Sequence, residues 1–229
     1  MQPNIQMMPQ TGDLAVSRNK VLRSTYLLLA LSLIPTVIGA FVGTSMDFAW
    51  AAQHPVMFGL GSFAVMMGLM FGVSAARNSG LGVVLLLAFT LVMGLLLGPI
   101  LQVALRLSNG GQIIGLAAGG TSAIFFVLAG IATTSKRDFS FLGKFLMVGI
   151  VLLIIASLAN LFFHIPALAL ALSGVGVLLF SGFLLFDVSR IVNGGESNYI
   201  MATLSIYLDI YNLFINLLNI LMAVMGNRN

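Results

Sequence analysis

Seven apolar runs take up almost the whole chain, at about 21–43, 52–75, 80–105, 112–134, 141–163, 166–189 and 198–225. Each is about 20 residues or longer, the length of helix needed to cross roughly 30 Å of hydrocarbon. Only short breaks separate them: MDFAWAAQHP, ARNSG, RLSNGGQ, TTSKRDFS, FHIPA and VNGGES. A chain so divided is an all-α polytopic membrane protein with seven transmembrane helices. Charge supports this, because only 7% of the 229 residues are charged against about a quarter in soluble domains. Residues 1–20 read as a poorly ordered N-terminal tail, and 21–229 as a single seven-helix domain. The first run is too long for a signal-peptide core, and Pro35 within it is an expected kink. FHIPA is expected to be a tight turn, with Pro166 opening the next helix.

Net charge +4 would suggest nucleic acid in a soluble protein. Here the cations sit in short loops, where they set orientation and imply no nucleic-acid partner. Arg18, Lys20, Arg23, Arg77, Lys136, Arg137, Lys144 and Arg190 fall on one side, and Arg106 and Arg228 on the other. The basic side, with the N-terminus, is expected in the cytoplasm, and the C-terminus outside. The sequence has no cysteine, which excludes disulfides, thiol catalysis and cysteine-ligated metal. His54 and His164 are far apart, without metal-ligand spacing. Small residues recur at helical spacing in Gly39/Gly43, Gly68/Gly72, Gly94/Gly98 and Gly111/Gly115/Gly119. They read as packing seams between helices.

The last run carries the polar information. Ser205, Asp209, Asn212, Asn216 and Asn219 recur at steps of four, three, four and three, so they line one face of a helix. Its other faces are apolar, and the remaining helices are expected to pack around it. Of six acidic residues, only Asp187 and Asp209 lie inside apolar runs, where a carboxylate is costly and marks function by default. They sit on antiparallel neighbours joined by NGGES. Their levels match if the turn centres near Asn198, and miss by roughly 9 Å if it centres near Gly195. Two carboxylates that meet cannot both ionise cheaply and share a proton. The pair is then a proton-operated latch and, when ionised, a place for a hard cation such as Ca²⁺. Asn212 and Asn216 would extend a polar path. Structural alternatives are an Asp187–Arg190 pair three residues apart, and Asp209 held by Ser205 and Asn212 as interhelical glue. No enzyme pattern and no cofactor motif appears, and neither aspartate has the Gly-x-Gly-Asp context of an intramembrane aspartyl protease.

FDVSRI followed by ATLSIYLDIYNLFINLLNIL, together with SKRDFSFLGKFL, resembles the Bax inhibitor-1 (TMBIM) family. KVLRSTYLLLALSL, GPIL, GGTSAIFF and GGESNYI are similar to its bacterial YccA-like branch. The likeness runs from about Val21 to Met225. The resemblance implies a seventh helix surrounded by the other six. It also implies an aspartate pair, here Asp187 and Asp209, that senses pH and gates a calcium leak across the bacterial inner membrane. Some relatives add an arginine at the end of the second helix that pairs with the first aspartate. The matching position is Arg77 or, by register, Ala76. The branch further implies a role as modulator of the membrane protease FtsH, through the tail before Arg18.

Overall fold

The protein is described by a computed structural model covering residues 11–135 and 137–226. The tail expected at residues 1–20 lies outside the described residues up to residue 10, as do Lys136 and Arg228. From residue 11 the chain is already helical. Among the described residues every regular element is an α-helix: α1 (Thr11–Ser45), α2 (Ala49–Gln53), α3 (Pro55–Ala75), α4 (Gly80–Leu96), α5 (Gly98–Leu105), α6 (Gly110–Thr134), α7 (Leu142–Phe163), α8 (Pro166–Val192) and α9 (Tyr199–Met225). Seven spans are long and apolar enough to cross a membrane, α4 and α5 together forming the third. The bundle is a multi-pass membrane protein.

Two of the chain's prolines act differently. Helix α1 continues through Pro35. Between α4 and α5 the helix is interrupted at Leu97, just ahead of Pro99, which sits in the first turn of α5. Proline has no N–H to give and crowds the carbonyl four residues back, so the GPIL sequence divides a single span. At the opposite end of α7, two residues make the whole link to α8. His164 adopts a left-handed backbone with φ 51°, and the Ile165 amide donates to Asn160 Oδ1 at 3.0 Å.

The closest helix pair is α1 with α4. A Cβ on Gly39 would run into the Leu91 carbonyl oxygen, and one on Gly94 into the Thr36 carbonyl oxygen. One turn on, a Cβ on Gly43 would stand 2.7 Å from Leu95 O, and one on Gly98 2.6 Å from Gly43 O. These two glycine pairs are the seam their spacing suggested. Of the Gly68/Gly72 pair only Gly72 meets a neighbouring helix, where a Cβ would stand 3.6 Å from Leu85 Cδ1 of α4, and the Gly111/Gly115/Gly119 repeat is not a seam within this chain. A Cβ on Gly68, Gly111, Gly115 or Gly119 would meet nothing within 4 Å, so these glycines face outward. Periodicity reports that small residues share a face, but not whether a neighbour covers it.

Helix α9 lies against α1, α3, α4, α6 and α8, while α7 packs on α8. Ile206, Tyr207, Leu213 and Leu218 of α9 are fully buried. Ile206 and Tyr207 belong to the main core with Leu86 and Phe89 of α4 and Leu184 and Val188 of α8, and Leu218 packs with Leu101 and Ile113 beyond it.

The C-terminal end of α1 is closed by a side chain from α5. Gln102 Nε2 lies 2.8 Å from Met46 O and 3.2 Å from both Gly43 O and Thr44 O. A helix end leaves such carbonyls short of internal partners; of the three, Gly43 O also takes the Met46 amide at 3.3 Å. Gln102→Leu is expected to lower stability by about 1–3 kcal/mol, the cost of stranding partly buried acceptors. A drop in the thermal unfolding midpoint in detergent checks this.

Candidate functional site

Asn198 fixes where α9 starts. Its Oδ1 accepts from the amides of Ile200 and Met201, both at 3.1 Å, an N-cap on the first turn. Its Nδ2 donates to Arg77 O at 2.9 Å and Asn78 Oδ1 at 3.0 Å, tying the start of α9 to the end of α3. The preceding turn needs Gly194 at φ +79°, a backbone glycine adopts without strain.

From that anchor the polar stripe runs down one face of α9 into a cavity of about 1020 Å³. Ser205, Asp209, Asn212, Asn216 and Asn219 all line it. The stripe is roughly 21 Å long at 1.5 Å per residue, most of a bilayer's hydrocarbon depth. Met66 and Met70 of α3, Ile154 and Ser157 of α7, and Ser173 and Asp187 of α8 form the other walls. The cavity lies between α9 and α7, where direct helix packing gives way to open space.

Asp187 and Asp209 meet at one end of this cavity, within side-chain hydrogen-bond reach of each other. Asp209 is the more enclosed, at 6% exposure, and its Oδ2 is buried with no donor on it. Asp187 also faces Arg190, with Nη1 to Oδ1 at 3.7 Å. Arg190 is shared further. Its Nη2 lies 3.9 Å from Glu196 Oε2, and its guanidinium stands 5.5 Å from the centre of the Phe186 ring. Such a partly exposed pair contributes about 1 kcal/mol at most.

The remaining site candidates fall as follows. Arg77 is exposed and makes no ion pair among the described residues. It lies just past the end of α3 with its carbonyl taken by Asn198, so the arginine on Asp187 is Arg190. Neither Ser205 nor Asn212 holds Asp209. Asn212 Nδ2 donates to Leu208 O and Asn216 Nδ2 to Asn212 O, both at 2.8 Å. The amide N–H groups are thus satisfied by their own helix, and the Asn216 amide lies against Gly176 of α8, where a Cβ would stand 2.5 Å from Asn216 Oδ1. Among the described residues no group of three or more His, Cys, Asp or Glu side chains converges on a common point.

Sequence reasoning missed a second polar system behind the stripe. Tyr207 Oη lies 2.8 Å from Thr36 Oγ1 and donates towards Thr90 O at 3.4 Å, and Tyr211 Oη donates to Met93 O at 3.1 Å. The two rings stack with centroids 6.1 Å apart. The available signal was the Tyr207–Tyr211 spacing of four, which puts both phenols on one face. Sequence reasoning also missed Ser189, two residues beyond Asp187. Its buried Oγ accepts from the Phe139 amide and from Asn193 Nδ2, both at 3.1 Å. In the same loop Asp138, outside the membrane spans, takes the Ser140 hydroxyl at 2.6 Å and amide at 2.9 Å. These bonds hold its carboxyl below the usual carboxylate range.

The chain matches the family model described as inhibitor of apoptosis-promoting Bax1 over residues 18–227. It is 42% identical over 206 residues to the modulator of FtsH protease YccA of Escherichia coli K12, covering 90% of this chain and 91% of that protein. It is 41% identical over 215 residues to an uncharacterised protein of Neisseria meningitidis, covering 92% and 94%. An uncharacterised membrane protein of Vibrio cholerae is 40% identical over 228 residues, covering 99% and 100%. The match takes in all seven spans, the aspartate-bearing helices α8 and α9, and the loop that Ser189 holds. The chain belongs to the Bax inhibitor-1 family.

Proposed function

We propose that Asp187 and Asp209 form a proton-operated latch between α8 and α9 that gates a cation leak, with Ca²⁺ as cargo. The observation carrying this reading is the enclosed Asp209 Oδ2, which has no donor while both carboxylates are ionised. A proton shared with Asp187 satisfies it and holds the two helices together. Loss of that proton puts two negative charges in a low-dielectric site, which favours separation and entry of a cation. Two carboxylates supply fewer than the six to eight oxygens of a tight Ca²⁺ site, which suits passage better than storage. Asn212 and Asn216, which line the same cavity, continue the path. The chain is then a non-enzymatic inner-membrane protein, with its N-terminus and basic loops in the cytoplasm and its C-terminus outside.

Ca²⁺ uptake into liposomes holding the purified protein, followed as a function of pH, tests the latch, because a coupled carboxyl pair gives up its protons in two separate steps. A pH-dependent flux is expected. Asp209→Asn or Asp187→Asn should flatten its pH profile by on the order of tenfold, the ratio that about 1.4 kcal/mol of latch energy sets. Absence of flux, or an unchanged profile in both variants, overturns the reading.

A second role rests on the relative named as a modulator of FtsH protease. In this reading the chain associates with FtsH, and the polar sequence before Arg18 is the segment the protease engages. Deleting residues 2–17 should abolish co-purification with FtsH; undiminished co-purification and turnover would refute it.

A further inference from the structure

The two ends of the aspartate cavity differ. At the end away from the basic loops it reaches the surface. Its lining there includes Asn160 and Leu161 in the last turn of α7, Pro166 at the start of α8, and Ala223 two residues from the end of α9. Leu161, Pro166 and Ala223 are exposed, as are His164 and Ile165, which join α7 to α8.

At the basic end the cavity stops inside the bundle. Asp187 is the last residue of α8 to line it, and Ser205 the first of α9. Beyond them, Val188, Ser189 and Ile191 of α8 and Ile200, Thr203 and Leu204 of α9 are at most 3% exposed. Roughly 8 Å of close helix packing thus separates the cavity from that surface. Arg190 stands over Asp187 on this side. Its guanidinium is held by Asp187, by Glu196 and by the Gly195 carbonyl, the last at 3.4 Å. A positive charge so placed repels any cation that would pass it.

The lining says what fills the space. Ser157, Ser173 and Ser205, from three different helices, line it together with the asparagine stripe and both carboxylates. Ionisable groups inside a membrane face a partner or a water-filled cavity. A volume of about 1020 Å³ has room for on the order of thirty waters at roughly 30 Å³ each.

We infer that this cavity is a one-ended aqueous vestibule. Water and small cations enter beside the α7–α8 turn, follow the stripe past Asn219, Asn216 and Asn212, and stop at the carboxylates. Arg190 is the residue that closes the basic end. The inference goes beyond the latch, because the side of entry is defined whether or not the carboxylates gate a leak. A missing Ca²⁺ flux and a wrong side of entry are therefore separate results.

The sequence has no cysteine, so single cysteines can be placed in the full chain without other changes. The test is their modification in sealed membrane vesicles of both orientations by a membrane-impermeant, trimethylammonium-bearing methanethiosulfonate. The reagent attacks the thiolate, which forms only in contact with water. His164→Cys and Arg137→Cys, in exposed segments at opposite ends, identify the side each preparation presents. Ser205→Cys lies roughly 9 Å from the basic end of its helix and 30 Å from the other. It should nevertheless be modified only from the His164 side, as should Ser157→Cys. Thr203→Cys, at a fully buried position, should be modified from neither. Adding Arg190→Ala should open Ser205→Cys to the Arg137 side as well, while Thr203→Cys stays protected and so shows that the bundle is intact. Modification of Ser205→Cys from the Arg137 side with Arg190 in place overturns the proposal. So does protection from both sides, the result for a lipid-filled cleft. An unchanged pattern with Arg190→Ala overturns the role given to Arg190.

Discussion

Gly39→Ala is expected to prevent assembly of the bundle, although it adds a single methyl group. In lipid, apolar side chains gain little by leaving the hydrocarbon for one another, so helix pairs depend on close packing. The α1–α4 pair takes this to backbone contact. The new Cβ would strike the Leu91 carbonyl oxygen and stand 2.9 Å from the Leu95 amide nitrogen. Both are helix backbone atoms and cannot swing aside as a side chain would. The helices must separate, and Thr36, on the same stretch of α1, is then drawn away from Tyr207. The expected loss exceeds about 4 kcal/mol, in the range reserved for strain and overpacking. Size-exclusion chromatography in mild detergent should show aggregate in place of a single peak. Gly68→Ala is the control. Its Cβ meets nothing within 4 Å, and its thermal midpoint should stay within the change expected of about 0.5 kcal/mol.

Tyr207→Ala should be the next most damaging change. Tyr207 is among the largest fully buried side chains, and truncating a large aromatic in a packed core costs about 3–5 kcal/mol. The loss also strips Thr36 of its long-range partner and leaves Phe89, now 6.0 Å from the Tyr207 ring centroid, beside a void. Tyr207→Phe separates the contributions. It keeps the ring and removes only the hydroxyl, at roughly 1 kcal/mol for a hydrogen bond between membrane helices. Thermal unfolding of both variants should therefore differ by several degrees. If the two melt alike, the hydroxyl rather than the packed ring holds α9 against α1 and α4.

The seven spans were legible because a bilayer imposes length and apolarity on every crossing segment. The Ser205–Asn219 stripe was legible because a helix repeats every three to four residues. What the stripe faces was not written in that repeat. Its cavity arises because α7 packs on α8 and stands off from α9, a tertiary arrangement with no local signature. The glycines make the same point. Gly39 and Gly111 begin equally good four-residue repeats, yet one touches a helix and the other faces open space. The meeting of Asp187 with Asp209 depended on a turn whose centre the sequence left open. Asn198, by capping α9 and gripping the end of α3, settles where the second helix begins. Arg77 was attractive as a charge at the end of the second span, but its backbone rather than its guanidinium is engaged.

Ser189 sits on α8 two residues from Asp187, and its oxygen receives the Phe139 amide of the aqueous loop. If that end of α8 shifts, this bond has to lengthen or break, however deep in the bilayer the shift began. The Phe139 amide proton is thus a built-in reporter: its exchange with heavy water records the posture of the carboxylate helix from outside the membrane, with no label attached.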